Sequence, residues 1–264
     1  MLDLNPAGGD VFGRAPDLYD AGRLPTSAAA SGWIVERAGL RAGARVLEVG
    51  AGSGQLTGRL LAAGLRPTCL EPSAALGAML TARYGGMLDV QPVGFEAYTR
   101  TGPRRRYAAV LAANSWHWVD PASGYAGARR VLAPGGALGI VYSVSVAEAA
   151  AQRVVDDILA GRGIGELALP AGCLDAADAA LDDVCDAVEG GGFSVLARTT
   201  ATDEHRLDAA AYGRLVASYG PSIARGAGAA GALADALAAA LARVRGEDPV
   251  RVTDRTYALV ARPA

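Results

Sequence analysis

The sequence of 264 residues predicts an α/β protein built on a doubly wound, mostly parallel sheet of seven strands. Short apolar runs alternate with segments of helical spacing, and a glycine-rich turn separates the first such run from a helix. The fifth run is apolar without interruption, as strands in the middle of a parallel sheet are. Because strands that alternate with helices form βαβ units, these observations indicate a parallel sheet covered by helices on both faces.

The predicted elements follow one another regularly in the first half of the chain, after an irregular segment over residues 1–30. Arg45–Val49 is a compact apolar run that ends in glycines, Ser73 is an N-cap residue, and Pro134 stops the helix before the fifth strand. The predicted strands of this half are Arg45–Val49, Pro67–Leu70, Leu88–Val93, Tyr107–Ala112 and Ala137–Tyr142. The predicted helices are Trp33–Ala38, Leu56–Ala63, the helix that Ser73 caps and that reaches Tyr84, and Ala122–Leu132.

The second half is richer in helices. Leu233, Leu237 and Leu241 recur at helical spacing within an alanine-rich stretch, which predicts an amphipathic helix rather than a linker. The predicted helices are Ala147–Ala160, Ala177–Val188, Ala209–Tyr219 and Ala232–Val244, and the predicted strands are Phe193–Thr200 and Thr256–Ala261. We expect the late helices, over 147–188 and 209–244, to cap the substrate side of the sheet.

The composition excludes several classes of protein. All 25 cationic residues are arginines, so the chain can form no Schiff base through lysine and lacks the P-loop lysine of Walker ATPases. The net charge of −2 argues against sequence-independent nucleic-acid binding, which needs a basic face. Cys69, Cys173 and Cys185 lack metal-ligand spacing, which predicts a reducing compartment and no metal site. Because we see neither a signal peptide nor an uncharged apolar run that could span a bilayer, we expect a cytoplasmic protein without membrane contact.

The most informative segment is the turn after the first strand, where Gly50, Gly52 and Gly54 alternate with other residues. Glycines allow positive φ and let a ligand approach the backbone, and the helix that follows begins with unpaired N–H groups. The spacing G-x-G-x-G differs from the G-x-G-x-x-G of dinucleotide-binding turns. Glu48 precedes the glycines, and Glu71 at the end of the second strand is placed to accept both hydroxyls of a ribose. The alternative is a tightly packed turn without a ligand.

Further blocks carry a resemblance to a known family. They are Leu18-Tyr19-Asp20 with Arg23-Leu24-Pro25, Glu71-Pro72-Ser73, Val93-Gly94-Phe95-Glu96, Ser115-Trp116-His117-Trp118-Val119-Asp120-Pro121 and Arg130-Val131-Leu132-Ala133-Pro134-Gly135-Gly136. With the glycine turn, they make the chain resemble the class I S-adenosylmethionine-dependent methyltransferases, and most of all the small-molecule group that includes trans-aconitate methyltransferase-like enzymes. The likeness covers nearly the whole chain. Arg-Leu-Pro in place of Arg-Pro and the basic loop Arg104–Arg106, which we interpret as a solvated turn, depart from the family's pattern.

The resemblance implies a Rossmann-like methyltransferase fold with a helical cap from C-terminal insertions. The whole chain, 1–264, would be one methyltransferase domain. Within it, residues 1–32 would cover the cofactor, residues 33–145 would form the cofactor-binding core, and residues 146–264 would supply the substrate-side helices and the last two strands.

The resemblance also implies S-adenosyl-L-methionine as the cofactor and S-adenosyl-L-homocysteine as the product. Glu71 would hold the ribose hydroxyls, Phe95 and Glu96 would border the adenine, and Tyr19 would cover the methionine end. Met79 is either part of the adenine wall or plain helix core. The implied cofactor-binding residues are Tyr19, Glu48, Gly50, Ala51, Gly52, Gly54, Glu71, Pro72, Phe95, Glu96 and Asn114.

His117 is the candidate catalytic residue, because it follows the fourth strand near the expected position of the transferred methyl group. The ordinary histidine pKa of about 6.5 suits a general base, and a contact between His117 and the substrate is the other functional role. The alternative is a structural histidine whose ring packs between Trp116 and Trp118. His205, the other histidine, lies in a polar segment that we expect to be a solvated turn.

The predicted function is methyl transfer from S-adenosylmethionine to a carboxyl, hydroxyl or carbon nucleophile of a metabolite or natural product. One alternative keeps the fold but uses the bound sulfonium electrostatically, for cyclisation or rearrangement. Another is a non-catalytic cofactor-binding module, and an oxidoreductase is disfavoured by the early third glycine. We expect a small-molecule substrate, no nucleic-acid partner, and a monomer or homodimer.

Overall fold

The computed structural model describes residues 10–164 and 173–264, and the side chains of 173–179 are not part of that description. A seven-stranded sheet has the order β3-β2-β1-β4-β5-β7-β6. The strands are β1 (Arg45–Val49), β2 (Arg66–Leu70), β3 (Asp89–Gln91), β4 (Tyr107–Ala113), β5 (Leu132–Ala147), β6 (Phe193–Leu207) and β7 (Val250–Pro263). The helices are α1 (Pro16–Gly22), α2 (Ala28–Arg37), α3 (Thr57–Ala62), α4 (Ala74–Tyr84), α5 (Phe95–Thr101), α6 (Pro121–Val131), α7 (Ala149–Gly161), α8 (Cys173–Gly190), α9 (Ala209–Ala217), α10 (Gly220–Ile223) and α11 (Ala227–Arg245).

The strand order confirms the predicted fold class. β1 pairs in parallel with β2 and β4, β2 with β3, and β4 with β5, whereas β7 is antiparallel to both β5 and β6. The order reverses beside β1, between the branch toward β3 and the branch toward β6. In open α/β sheets a ligand lies outside the carboxyl ends of the strands at such a switch point. The topology therefore places a site above β1 and β4.

Two hydrophobic layers cover the two faces of the sheet. On one face, α5, α6 and α8 pack against the inner strands, with Phe95, Tyr125 and Val188 in a shared core. On the other face, α2 and α3 pack against β1, β4 and β7 through Ile34 and Leu60. Since both faces are covered, the strand interiors are apolar, as the uninterrupted runs predict.

A second core lies beyond the main sheet, where β5, β6 and β7 extend as an antiparallel arm. These strands have 16, 15 and 14 residues, far beyond their predicted bounds. Helices α7, α9 and α11 pack against the arm through residues that include Val155, Leu215, Leu237 and Val252. The charged segment 201–207, predicted to lie outside the strand, joins β6 because β7 supplies hydrogen-bond partners along its whole length.

Several predictions about local structure are wrong, each because packing overrides a weak local pattern. The N-terminal segment is not irregular throughout: α1 occupies Pro16–Gly22, and α2, capped by Ser27, begins at Ala28, five residues before the predicted start at Trp33. Helix α5 was absent from the predicted elements. Helix α8 packs on the sheet face rather than in the cap. The proposed cofactor-covering segment 1–32 includes residues 1–9, which lie outside the described residues, as does the side chain of Cys173.

Helix α11 is the one helix of the described ranges that is long and apolar enough, by length and composition alone, to cross a membrane. It packs on α7 and α9, and Leu233, Leu237 and Leu241 are buried in that packing. Its apolar face is thus covered by α7 and α9. The helix begins five residues earlier than predicted, because alanines at 227, 229 and 230 favour helix, and it ends one residue later, at Arg245.

Candidate active site

The three glycines of the turn after β1 all have positive φ, at 63° for Gly50, 59° for Gly52 and 104° for Gly54. A Cβ atom at Gly50 would lie 2.7 Å from the Cβ of Ser115, and one at Gly54 would lie 2.7 Å from the ring of Tyr84. Both approaches are closer than real Cβ contacts, so the turn requires glycine for its conformation and for space. The turn brings backbone N–H groups to the carboxyl edge of the sheet.

Glu71 is joined to this turn by hydrogen bonds. The Gly52 N–H donates to its Oε2 at 2.7 Å, and the Ser73 N–H donates to its Oε1 at 2.9 Å. The residue is 4% exposed, and burial raises the pKa of its carboxyl although the two N–H groups oppose that shift. Each oxygen keeps a lone pair that is free for a further donor. The carboxylate is therefore held in place for a ligand that carries hydroxyl groups.

Glu48 lies on the other side of the turn. Its Oε2 accepts a hydrogen bond from the Thr57 hydroxyl at 2.7 Å and a weaker one from the Cys69 thiol at 3.5 Å. The residue is 1% exposed, and burial raises the pKa of its carboxyl to about 7. Since Thr57 is the first residue of α3, Glu48 connects β1 to that helix and supports the turn from within the protein.

Tyr19 and its neighbours hold α1 over the turn. The Tyr19 hydroxyl would lie 3.1 Å from a Cβ at Gly52, and burial raises the pKa of the phenol. The next residue, Asp20, forms a 2.6 Å ion pair with Arg83, whose other terminal nitrogen donates to the Ser53 carbonyl at 2.7 Å. Sequence reasoning missed Asp20 and Arg83, because nothing in their spacing indicates a contact between α1 and the end of α4.

Asn114 and Ser115 connect the ends of three strands. Asn114 has a φ of 52°, and its Oδ1 accepts the Ser143 N–H at 2.8 Å, which joins β4 to β5. The Ser115 hydroxyl donates to the Val49 carbonyl, which joins the same segment to β1. Asn114 is exposed, so its side-chain amide group borders the open edge of the sheet.

The segment after β3 departs from its expected role. The ring of Phe95 is 3% exposed and packs against Trp116, with ring centroids 5.5 Å apart, so it belongs to the core and forms no exposed wall. Glu96 accepts the Asp120 N–H at 2.8 Å and thereby fixes the start of α6. Ala51, in the glycine turn, is buried, and Pro72, which follows Glu71 in the chain, is exposed. The resemblance alone did not foresee the burial of Phe95.

His117 has a different protonation behaviour from the one expected. Burial, and after it the positive charge of Arg23, lowers the pKa of the imidazole to about 4. Its ring lies 5.2 Å from that of Trp118 and 5.8 Å from that of Tyr142, and its Nδ1 is buried without a hydrogen-bond partner among the described residues. The ring is therefore neutral at neutral pH, as a base requires, but its low pKa makes it a weak proton acceptor.

His205 is not in a solvated turn. It lies in β6, half-buried, and its Nε2 is buried without a hydrogen-bond partner in the described chain. Met79 is half-buried on α4. No group of three or more metal-ligating side chains is found in the part of the chain that the structure describes.

A cleft of about 370 Å³ opens beside the glycine turn, between α1, α3 and the end of α4. It does not include Glu71, Asn114 or His117. Its lining residues are Asp20, Arg23, Pro25, Gly54, Gln55, Gly58, Arg59, Ala62, Arg83 and Tyr84.

A family model described as a methyltransferase domain matches residues 46–136, the segment that contains the turn, Glu71 and His117. An uncharacterised methyltransferase of Mycobacterium tuberculosis is 35% identical to this chain over 132 residues, which are 50% of this chain and 51% of the relative. The same values hold for a relative from Mycobacterium bovis. The chain therefore spans about half the length of the curated relatives it matches.

Solved structures show the same fold over most of the chain. A protein from Anaeromyxobacter dehalogenans, assigned as a type II methyltransferase, superposes with a TM-score of 0.63 at 22% identity and covers 91% of this chain and 97% of its own. A methyltransferase from Thiobacillus denitrificans, solved with S-adenosyl-L-homocysteine, has a TM-score of 0.50 at 16% identity and covers 93% and 97%. The fold is thus that of S-adenosylmethionine-dependent methyltransferases, and S-adenosylmethionine is the cofactor that the sequence resemblance implies.

The residues present fit that cofactor. Glu71 offers a fixed carboxylate to the hydroxyls of a ribose, and Gly52 leaves the space that a Cβ would fill beneath Tyr19. A sulfonium compound carries no phosphate and needs no basic clamp.

Proposed function

We propose that this protein transfers the methyl group of S-adenosylmethionine to a small-molecule acceptor. The observation that carries the proposal is the hydrogen bond from the Gly52 N–H to Glu71, because it joins the turn and the ribose-binding carboxylate into one preorganised unit. The methyltransferase domain match over residues 46–136 supports it.

In this proposal each residue has a binding task. Glu71 accepts the ribose hydroxyls, the backbone around Gly50, Ala51 and Gly52 lies along the amino-acid end, and Tyr19 covers that end from above. Bound S-adenosylmethionine supplies an electrophilic methyl group on a sulfonium. The chain's own contribution is to hold an acceptor atom in line with that methyl group, and such positioning can remove about 7–11 kcal/mol from the barrier of a bimolecular reaction.

The acceptor side lies near His117, Trp118 and Tyr142, after β4 and along β5. A neutral His117 would accept a hydrogen bond from an acceptor hydroxyl and orient it, and its lowered pKa disfavours full proton transfer to it. A carboxylate or carbon nucleophile would need no base here. The proposal extends to a metabolite or natural-product acceptor, a cytoplasmic location, a monomer or homodimer, and no nucleic-acid partner.

Calorimetry with S-adenosylhomocysteine tests the cofactor site. We expect wild-type protein to bind it and Glu71→Gln to bind at least tenfold more weakly, since an amide replaces the carboxylate that accepts both hydroxyls. Glu36→Gln, at an exposed position on α2, is the matched control and should bind like wild type. Equal binding by the Glu71 and Glu36 variants would contradict the assigned site.

Methyl transfer itself is tested by incubating the protein with methyl-labelled S-adenosylmethionine and a library of small molecules, followed by mass spectrometry. A product heavier by one labelled methyl group is expected. A product formed in the presence of cofactor without that added mass would instead support the cyclisation or rearrangement alternative.

A further inference from the structure

Arg23 is a cation without a countercharge in the acceptor region. It follows α1 directly and is only partly exposed. Its guanidinium carbon lies 5.6 Å from the ring centroid of Phe12, 5.1 Å from that of Tyr19 and 4.8 Å from that of Tyr219. Three aromatic rings therefore shield it from water, which strengthens its interaction with any charge that comes close.

The hydrogen-bonding capacity of Arg23 is largely unused. One terminal nitrogen donates to the Ser218 carbonyl at 3.2 Å, and the buried Nε has no partner among the described residues. No carboxylate lies within ion-pair distance of it in the described chain, whereas Arg83 pairs with Asp20, and Arg245 and Arg251 share Glu148. Since a shielded charge without a counterion is unfavourable, the arrangement calls for an anion from outside.

The ring beneath Arg23 is fixed by a buried polar chain. The Tyr219 hydroxyl is hydrogen-bonded to Ser145, and the Ser145 hydroxyl donates to Asp254 at 2.5 Å. Asp254 is 2% exposed and faces Asp203 across the β6–β7 pair. Its charge is thus directed at Ser145 and not at Arg23, which leaves the guanidinium available.

Arg23 lies where the glycine turn and the cap come together. It lines the cleft beside the turn, and it also contacts Ser218 and Tyr219 of the cap, on the side where an acceptor would enter. Its positive charge lowers the pKa of His117, so it is felt where the acceptor would lie.

From this geometry we propose that Arg23 binds a carboxylate of the methyl acceptor as an anchoring group, with the methyl-accepting atom elsewhere on the same molecule. A guanidinium matches a carboxylate in charge and planarity, and the surrounding rings favour a flat, apolar acid. A carboxylate held in this pair has its lone pairs engaged and is a poor nucleophile. The inference rests on the proposed function and narrows its acceptor to acids that are methylated at a hydroxyl, nitrogen or carbon.

Binding of benzoate to protein saturated with S-adenosylhomocysteine tests the anchor without knowledge of the true acceptor. Benzoate should bind to wild type, and benzamide, its neutral analogue, should bind more weakly. Arg23→Gln should weaken benzoate binding roughly tenfold to a hundredfold and leave benzamide unchanged. Arg14→Gln is the matched control, because Arg14 lies in the same segment and donates to the Ala224 carbonyl but is exposed.

A second arm separates the acceptor's carboxylate from the cofactor's own. Wild type and Arg23→Gln are compared for binding of S-adenosylhomocysteine and of methylthioadenosine, which lacks the amino-acid part. We expect the variant to bind both like wild type. If it loses affinity for S-adenosylhomocysteine alone, the cofactor's carboxylate occupies Arg23 and the inference is overturned.

The remaining outcomes also support or overturn the inference about Arg23. Benzoate that binds no better than benzamide to wild type, or equally well to Arg23→Gln, overturns the inference. Retained S-adenosylhomocysteine binding shows that the variant is folded, and Arg23→Lys, which keeps the charge but loses the planar fork, should fall between the two if Arg23→Gln does not fold. Failure of wild type to bind S-adenosylhomocysteine would contradict the proposed function instead.

Discussion

The two halves of this protein hold their buried charges in different ways. In the cofactor half, Glu71 is fixed by backbone N–H groups of its own turn and helix cap, and Glu48 by a side chain on the adjoining helix. In the cap half, Asp254 of β7 accepts a hydrogen bond from Ser145, its pairing partner on the neighbouring strand β5. The buried Oδ2 of Asp203 and the buried Nε2 of His205 have no partner among the described residues. The first half is preorganised locally, whereas the second holds buried polar atoms that have no partner among the described residues.

The difference also appears in the strands. β1, β2 and β4 have lengths close to those predicted, and their ends define the turn and the site. β5, β6 and β7 extend into an arm that only exists because they pair with one another and because α7, α9 and α11 cover it. Cofactor binding is thus expected to depend on the first half, whereas acceptor choice also involves Ser218 and Tyr219 of the second half, which contact Arg23.

The largest expected effect tests the local character of the turn. Gly50→Ala should cost about 1–2 kcal/mol for its positive φ and about 1–3 kcal/mol more for the contact with Ser115. Gly39→Ala has a similar φ of 68° in open space and should show the first cost alone. Urea unfolding of both variants measures the difference, and equal destabilisation would show that the close approach is unimportant.

Removing a core side chain from each half separates stability from cofactor binding. Leu237 and Leu60 are both fully buried, in the cap and beside the turn respectively, and truncation of either to alanine should cost about 2–5 kcal/mol. We expect Leu60→Ala to weaken S-adenosylhomocysteine binding in addition, and Leu237→Ala to preserve it. Calorimetry on the folded variants decides, and the reverse pattern would contradict the division between the halves.

Glu48 should make the stability of the protein pH-dependent. Burial raises the pKa of its carboxyl from 4.5 to about 7, so between these pH values the folded chain retains a proton that the unfolded chain releases. Stability is therefore expected to fall as the pH rises through this window, by about 3 kcal/mol in total from this group. Glu48→Gln should remove most of that slope in urea unfolding between pH 5 and pH 8. An unchanged slope would show that Glu48 is ionised throughout.

The smallest effect is expected from the ion pair that fastens α1 over the turn. Asp20→Asn removes the charge opposite Arg83, a pair that is partly exposed, and should cost less than about 1 kcal/mol. Because α1 carries Tyr19, a few-fold loss in S-adenosylhomocysteine affinity should accompany it. Asp182→Asn, which breaks the exposed pair with Arg198 far from the site, should change neither the affinity nor the stability measurably.

Much of the fold and part of the site were accessible to sequence reasoning. The strand β1 has its predicted bounds, Ser73 caps α4 as predicted, and Glu71 lies at the turn as the spacing indicates. The burial of Phe95 and the low pKa of His117 were not accessible. Both depend on which side chains pack around a residue, and a motif does not record that.

The sequence by itself determined the α/β class, the glycine turn and the position of Glu71 beside that turn. The reason is that short apolar runs, glycine turns and helix caps act over a few residues. Only the tertiary structure decided the long arm of β5, β6 and β7, the ion pair between Asp20 and Arg83, and the aromatic surroundings of Arg23. These features join residues far apart in the chain, whose contacts exist only once the sheet and the cap have packed.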